Sequence, residues 1–225
     1  MVLGWAILFL LFLYRVKSVC SVGSLFFFSS FRVMSCVINI LDNRKFYVYN
    51  FKDACTKDVP EMNQVVVDSS SLILLAKCSL LQTFCDLFEV IITETVNTEV
   101  ASDDLIQKYP DAALIEELIS KESIQVFSLN PEDKKSLPIS LHKGEEDALF
   151  LAVKLGNVLF ATDDGKAIKA AKFLRIPFII TPKIVVQLYQ FQEIPFKKAR
   201  QALEKLGRIG RYSPVIISEA LLALL

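Results

Sequence analysis

The chain has 225 residues, 53% of them hydrophobic, which is enough to bury the core of one ordinary domain. Lysine and arginine together number 25, as do aspartate and glutamate, so the formal net charge is zero. This balance excludes a strongly basic protein that coats nucleic acid and an acidic disordered chain. Five cysteines without a C-x-x-C motif argue against a disulfide framework or a zinc site. The single histidine, His142, argues against a histidine-based triad or metal site.

Residues 1–61 differ in composition from the rest of the chain. They open with an apolar run that is followed by Arg15 and Lys17, and residues 1–31 stay mostly apolar. The first run is shorter than the roughly 20 residues that span a bilayer. Three interpretations compete: a membrane anchor with Arg15 and Lys17 on the cytoplasmic side, a poorly structured extension, or a start codon assigned too far upstream.

The third interpretation is favoured because Met62 lies just before the first regular strand. It predicts a domain over residues 62–225 that folds without the preceding segment. It also places the protein in the cytoplasm, whereas an anchor would hold the protein at a membrane.

From residue 64 onward, short apolar runs alternate with helical spacing. Short strands that alternate with helices predict a parallel sheet covered on both faces. The expected fold class is therefore α/β, with three layers and a central parallel sheet of about five strands. In chain order the predicted elements are strand 64–67, helix 72–88, strand 89–93, helices 95–102 and 110–121, strand 124–127, helix 143–155, strand 158–161, helix 165–174, strand 178–180 and helices 182–190, 195–206 and 214–225.

Acidic residues follow two of the predicted strands. Asp68 directly follows the first strand, and Asp163 and Asp164 follow the fourth strand after Thr162. These strands are expected to be neighbours, because the crossover direction of a doubly wound sheet reverses between them. Helix capping, which favours aspartate, would account for Asp68 and Asp164. It would not account for a further acid that faces inward on a neighbouring helix.

Glu145 is that further acid. At about 100° per residue, Glu145 lies on the apolar side of helix 143–155, whereas Asp147 lies on the side of Lys154. A carboxylate on a buried face is costly unless something pairs with it. The first turn of a helix also suits a negative charge, so a purely structural role for Glu145 stays open.

Glu99, on the short helix predicted after the second strand, is the fourth candidate. Clustered carboxylates without a histidine, cysteine or lysine nucleophile suit a hard divalent cation such as Mg²⁺ or Mn²⁺. Such a cation would relieve the repulsion among the acids, activate a water molecule and neutralise a phosphodiester. The sequence has no G-x-G-x-x-G motif after the first strand and no P-loop. Hydrolysis of a nucleic-acid backbone is the chemistry that the pattern predicts.

The order of these signatures resembles that of the PIN domain family, which includes the VapC-type toxin ribonucleases. The matching motifs are V-V-V-D-S-S, ending at Ser70; V-x-x-E-V, around Glu99; G-E-x-x-A-x-x-x-A, from Gly144; and L-F-A-T-D-D, ending at Asp164. The resemblance covers residues 65–225. It implies a three-layer PIN-like fold and an endoribonuclease that uses Mg²⁺ or Mn²⁺ to cleave RNA.

The resemblance also implies roles for individual residues. Asp163 is the alternative for the fourth metal ligand, because the T-D-D run leaves the choice open, and Asp147 is an additional acid. The hydroxyls of Ser70 and Thr162 are expected to support the site. The implied catalytic and metal-binding quartet is Asp68, Glu99, Glu145 and Asp164.

Two functional classes stay open from the sequence. One is an active ribonuclease, for which the toxin of a toxin–antitoxin pair, an antitoxin protein partner and a homodimer are further expectations. The other is a catalytically inactive PIN-like module that binds RNA or protein. The presence of all four acids favours the enzyme.

Basic residues collect in the last third of the chain. Lys197, Lys198 and Arg200 are the predicted RNA-binding residues, because a charge-neutral ribonuclease needs a local patch to bind phosphates. A solvated helix face is the alternative explanation. Tyr212, next to Arg211, is a candidate for stacking on a base.

Overall fold

The computed structural model describes residues 63–134, 137 and 139–225. The predicted extension, its membrane interpretation and the start at Met62 lie outside the described residues.

Five short strands form one sheet in which every neighbouring pair is parallel. The strand order is β3-β2-β1-β4-β5, so the chain adds β2 and β3 on one side of β1 and then crosses over to add β4 and β5 on the other, which makes β1 and β4 neighbours. In the register, Val66 of β1 pairs with Ile91 of β2 and with Phe160 of β4. The predicted parallel sheet of about five strands is confirmed. The strands are β1 (Gln64–Val67), β2 (Glu89–Thr93), β3 (Ile124–Phe127), β4 (Leu159–Ala161) and β5 (Phe178–Ile179).

Helices cover the sheet in a three-layer α/β arrangement. β1 is buried along Val65–Val67, and β4 is buried throughout, because apolar side chains reach helices on both faces of the sheet. The helices are α1 (Ser69–Lys77), α2 (Leu81–Leu87), α3 (Glu94–Val100), α4 (Asp103–Ile106), α5 (Pro110–Ser120), α6 (Lys143–Leu155), α7 (Gly165–Phe173), α8 (Thr181–Gln190), α9 (Phe196–Ile209) and α10 (Pro214–Leu222).

The apolar run predicted as helix 72–88 is two helices, α1 and α2. Ser79 has a positive φ of 56°, and its N–H donates to the carbonyl of Ala76 while the N–H of Leu80 donates to that of Leu75. This pair of bonds ends α1 in a Schellman motif, and α2 leaves at 115°. Among the described residues, no single helix is long and apolar enough to cross a membrane, and only this bent pair meets both criteria together.

Two short elements were not predicted. They are α4 and the 3₁₀ turn Pro131–Asp133. Neither is long enough to show a hydrophobic period, which is the signal on which such predictions depend. The 3₁₀ turn matters for the site, because Lys134 and Asp133 reach α6 from it.

Candidate active site

All five strands are parallel, so their carboxyl ends lie at one edge of the sheet, called here the carboxyl edge. Asp68 follows β1 there, and Asp163 and Asp164 follow β4. Glu99 lies on α3, and Glu145 lies in the first turn of α6. The structure thus brings acids from four separate chain segments to this edge.

Asp68 is fully buried, and both of its oxygens accept hydrogen bonds. Its Oδ1 accepts from the Ser71 N–H at 2.8 Å and from the Ser70 hydroxyl at 2.9 Å, while its Oδ2 accepts from the Thr162 hydroxyl. The first of these bonds caps α1, as the capping interpretation predicted. Burial raises the pKa of Asp68 to about 6, although the hydrogen bonds from Thr162 and Ser71 oppose that rise.

Asp163 is a neighbour of Asp68, and both of its carboxylate oxygens also accept hydrogen bonds. Its Oδ1 accepts from the Thr181 N–H at 2.9 Å, and its Oδ2 accepts from the Ser71 hydroxyl at 2.8 Å and from the Thr181 hydroxyl. Ser71 and Thr181 are themselves fully buried. These bonds tie the start of α8 to the start of α1. Asp68 and Asp163 are called the inner pair below.

Tyr212 extends this network to the C-terminal helices. Burial raises the pKa of the Tyr212 phenol, and the neighbouring Asp163 carboxylate raises it further. The hydroxyl is buried beside Asp163 without a hydrogen bond of normal geometry to a described residue. A Cβ on Gly210 would lie 2.2 Å from the Tyr212 ring, so the chain needs glycine there for the ring to pack. Tyr212 therefore anchors the α9–α10 connection rather than offering an exposed platform for a base.

Glu145 and two other acids form a second, more exposed group. Partial burial raises the pKa of Glu145, and the carboxylates of Asp164 and Glu99 raise it further. The backbone N–H of His142 donates to Glu145 Oε2 at 3.1 Å and opposes the rise. This contact is one half of a capping box, so the open structural role of Glu145 is also present. Glu99, Glu145 and Asp164 are called the outer trio below.

Glu99 is positioned by a close approach to α6. An ideal Cβ on Gly144 would lie 2.3 Å and 2.5 Å from the two carboxylate oxygens of Glu99. The Glu99 carboxylate thus occupies the space that any other residue at position 144 would fill. Gly144 is a site residue that sequence reasoning missed, although it was part of the matching G-E motif.

Asp164 caps α7 through a single oxygen. Its Oδ1 accepts from the backbone N–H groups of Lys166 at 2.7 Å and Ala167 at 2.9 Å. Its Oδ2 makes no hydrogen bond to a described residue. The structure therefore separates the two acids of the T-D-D run: Asp163 has both oxygens occupied, and Asp164 keeps one open.

Asp147 lies on the side of α6 opposite the apolar face but is buried there, with only 4% of it exposed. It pairs with Lys134 and accepts from the Thr95 hydroxyl at 2.6 Å. Asp147 does share a side of α6 with Lys154, which pairs with Asp133 at 2.7 Å. The chain around the 3₁₀ turn covers this side of the helix and neutralises Asp147.

A family model described as a PIN domain matches residues 64–225, which include every strand and helix of the described fold. The chain belongs to the PIN domain family. PIN domains are generally nucleases and typically use divalent metals. The carboxyl edge with its acids is the corresponding candidate active site of this PIN domain. No curated protein matches the chain.

The outer trio suits a divalent cation by its chemistry but does not form a ready-made cage. Its donors are carboxylate oxygens, the ligands that Mg²⁺ and Mn²⁺ prefer. Burial is the main cause of the raised pKa of Glu145, and a cation would relieve the smaller part that comes from repulsion by Asp164 and Glu99. Within residues 63–134, 137 and 139–225, no three acidic, histidine or cysteine side chains are spaced to hold one ion together. A shallow depression of about 350 Å³ lies beside Glu99 and Lys143.

The predicted RNA-binding residues lie on α9. Lys197 and Arg200 are exposed, Lys198 is half-buried, and Arg200 pairs with Glu204 at 2.8 Å. The opposite face of α9 is apolar and packs into the core. The start of α9 lies beside the end of α8, where the rings of Tyr189 and Phe196 are 6.0 Å apart.

Proposed function

We propose that this PIN domain is an endoribonuclease that depends on Mg²⁺ or Mn²⁺ and hydrolyses RNA phosphodiester bonds at the carboxyl edge. The observation that carries the proposal is the position of the Glu99 carboxylate, which fills the space beside Gly144 at the start of α6, one residue before Glu145. Asp164 and Glu99 each repel the Glu145 carboxylate, and none of the three acids forms an ion pair with a described residue. Such uncompensated repulsion favours binding of a divalent cation.

In this proposal the outer trio holds the cation, which would activate a water molecule and neutralise the phosphodiester. Gly144 keeps the Glu99 carboxylate against the start of α6, and Asp164 is oriented by its bonds to the start of α7. Asp68 is the fourth predicted ligand. The hydroxyls of Ser70 and Thr162, which now donate to Asp68, would have to turn away for it to reach the cation.

The narrower role of a toxin rests only on the resemblance of the acidic signatures. It includes an antitoxin protein as partner and a homodimer as the working form. The cytoplasm, where RNA substrates are found, is the proposed place of action, with the membrane-anchored form as the alternative.

The inactive PIN-like module is the second candidate, and specific observations favour it. Asp68 is fully buried with both oxygens hydrogen-bonded, and the described acids are not spaced as a ready-made metal cage. A module of this kind would bind RNA or a protein partner without cleaving it.

Cleavage of single-stranded RNA by the full chain with Mg²⁺, Mn²⁺ or EDTA separates the two candidates. The nuclease proposal predicts cleavage with either metal and none with EDTA. Glu145→Gln should slow cleavage roughly a hundredfold, the loss expected for a group that stabilises charge in the transition state. Glu146→Gln, one residue along the same helix, is the matched control and should cleave as the parent does. A parent that cleaves nothing with either metal would favour the inactive module.

A further inference from the structure

The course of the last helices decides which basic residues lie near the acids. α8 begins at the carboxyl edge, because Thr181 bonds to Asp163 there. α9 begins beside the other end of α8, where the rings of Tyr189 and Phe196 are 6.0 Å apart. The chain then returns to the edge, because Tyr212 lies against Asp163.

α9 therefore runs back toward the carboxyl edge from the far side of the domain. A helix rises 1.5 Å per residue, so Lys197 and Lys198 lie about 20 Å farther from the edge than the end of α9 does. Arg200 is only one turn closer, and it is already paired with Glu204. The predicted patch is thus remote from the acids that would cut RNA.

A different set of basic residues lies on the segments that begin or end at the carboxyl edge. Each of them is exposed, and none forms an ion pair or hydrogen bond through its side chain with another described residue. Three belong to the first turns of α6, α7 and α8, and the fourth precedes the anchor residue Tyr212. This set, called the rim below, is Lys143, Lys166, Lys183 and Arg211.

The three rim lysines lie where a positive charge lowers the stability of the fold. The first turn of a helix carries partial positive charge, so a lysine there is disfavoured by about 0.3–1 kcal/mol. Lys143, Lys166 and Lys183 all occupy such turns, and none of them forms an ion pair with an acid of the described chain. A negatively charged ligand would compensate both the lysines and the helix dipoles.

We propose that the rim binds the phosphates of single-stranded RNA on either side of the bond at the outer trio. The five acids of the carboxyl edge would repel a polyanion, and the four cations of the rim offset most of that repulsion at short range. The chain as a whole is neutral, so RNA attraction has to come from such a local set. That the polyanion is RNA rests on the proposed function, whereas the location of the phosphate contacts rests on the geometry.

The test compares two triple variants that remove the same charge. The rim variant is Lys143→Gln, Lys166→Gln and Lys183→Gln, and the matched control is Lys197→Gln, Lys198→Gln and Arg200→Gln. Binding of labelled single-stranded RNA to the full chain is measured in EDTA over a range of salt concentrations. The rim variant should bind more weakly, and its log–log salt slope should be smaller by about 2, at roughly 0.7 for each lost phosphate contact. The control should keep the parent's slope.

The location is overturned if the control loses as much slope as the rim variant, or if the parent binds no RNA. Arg211 lies between α9 and α10, so replacing it changes no helix. Arg211→Gln is therefore a second variant, and it should lower the slope by about 0.7. Melting temperatures verify folding, and the lysine replacements should not lower them because the lost charges oppose the dipoles. Because binding is measured in EDTA, a parent that binds through the rim but cleaves nothing with Mn²⁺ supports the rim and contradicts the nuclease.

Discussion

The inner pair and the outer trio lie at the same edge of one sheet, yet their charges are compensated in opposite ways. Asp68 and Asp163 are surrounded by buried hydroxyl and amide donors, which occupy all four of their oxygens. In the outer trio, Glu145 has a single backbone donor and two acidic neighbours. The inner pair therefore belongs to the structural framework, and the outer trio carries charge that the chain leaves uncompensated.

This difference shows that proximity to a strand end does not by itself leave the charge of an acid uncompensated. The two aspartates of the T-D-D run belong to different groups. Asp163 accepts a hydrogen bond from Ser71 in the inner pair, whereas Asp164 caps α7 at the surface. Substitutions in the inner pair should act mainly on stability, and substitutions in the outer trio mainly on cleavage.

The largest effect on stability is expected for Asp163→Ala. It leaves the buried hydroxyls of Ser71 and Thr181 and the N–H of Thr181 without their acceptor. At roughly 1–3 kcal/mol for each unsatisfied group, unfolding should become easier by about 3 kcal/mol or more. Asp164→Ala should cost about 1 kcal/mol, the usual value for a lost helix cap. Urea unfolding of both variants measures the difference, and equal losses would remove the distinction between the two acids.

The second prediction concerns Asp68→Asn and its dependence on pH. Burial raises the pKa of Asp68 from 3.8 to about 6, so keeping it ionised above that pH costs roughly 3 kcal/mol. Between the two values the native state retains a proton that the unfolded chain has released. The parent's stability from this group is therefore highest below about pH 4 and falls as the pH rises to about 6.

Asn keeps the cap to the Ser71 N–H and removes the charge. The variant should be more stable than the parent by about 2 kcal/mol at neutral pH, with the gain vanishing toward pH 4. Urea unfolding at several pH values tests this, with the exposed Asp104→Asn as control. A constant gain, or a loss at every pH, would show that burial does not destabilise the ionised carboxylate of Asp68.

The smallest change in stability is expected for Gly144→Ala, although its effect on cleavage should be clear. The added methyl group meets the carboxylate of Glu99, which is exposed and free to swing away, so the melting temperature should change by no more than about 2 °C. Cleavage should fall at least about tenfold, because the carboxylate leaves its position. Gly165→Ala is the matched control, since its Cβ meets nothing within 4 Å.

In a variant that already lacks the Glu99 carboxylate, Gly144→Ala should have no further effect on cleavage. A full additional loss in Glu99→Ala/Gly144→Ala would mean that the glycine acts through some other contact.

Most of the fold was predictable because its signals are local. The β-branched runs of β1 and β2, the proline at the start of α5 and the glycine after α6 each carry their own structural preference. The break at Ser79 was not visible, because serine rarely takes a positive φ and the apolar spacing continues across it. Tertiary packing of Leu80 and Leu81 into the core decides that turn.

The site was predictable only as a set of acids. Helix geometry places Asp147 away from the apolar face, but the chain carrying Lys134 covers that side, and a contact so distant along the chain leaves no local pattern. The choice between Asp163 and Asp164 depends on hydroxyls from α1 and α8. The need for glycine at position 144 depends on the Glu99 carboxylate from another helix. Each of these features depends on three-dimensional proximity.

We propose that the outer trio carries uncompensated charge and binds a divalent cation through it. Its most direct test is the melting temperature of the full chain as Mn²⁺ is added, in the parent, in Glu145→Gln and in the control Glu146→Gln. Binding should stabilise the parent by about 2.7 kcal/mol when Mn²⁺ reaches a hundred times its Kd. We expect this rise in the parent and in Glu146→Gln, and a much smaller rise in Glu145→Gln. A parent that shows no rise, or a Glu145→Gln variant that keeps the full rise, would contradict it.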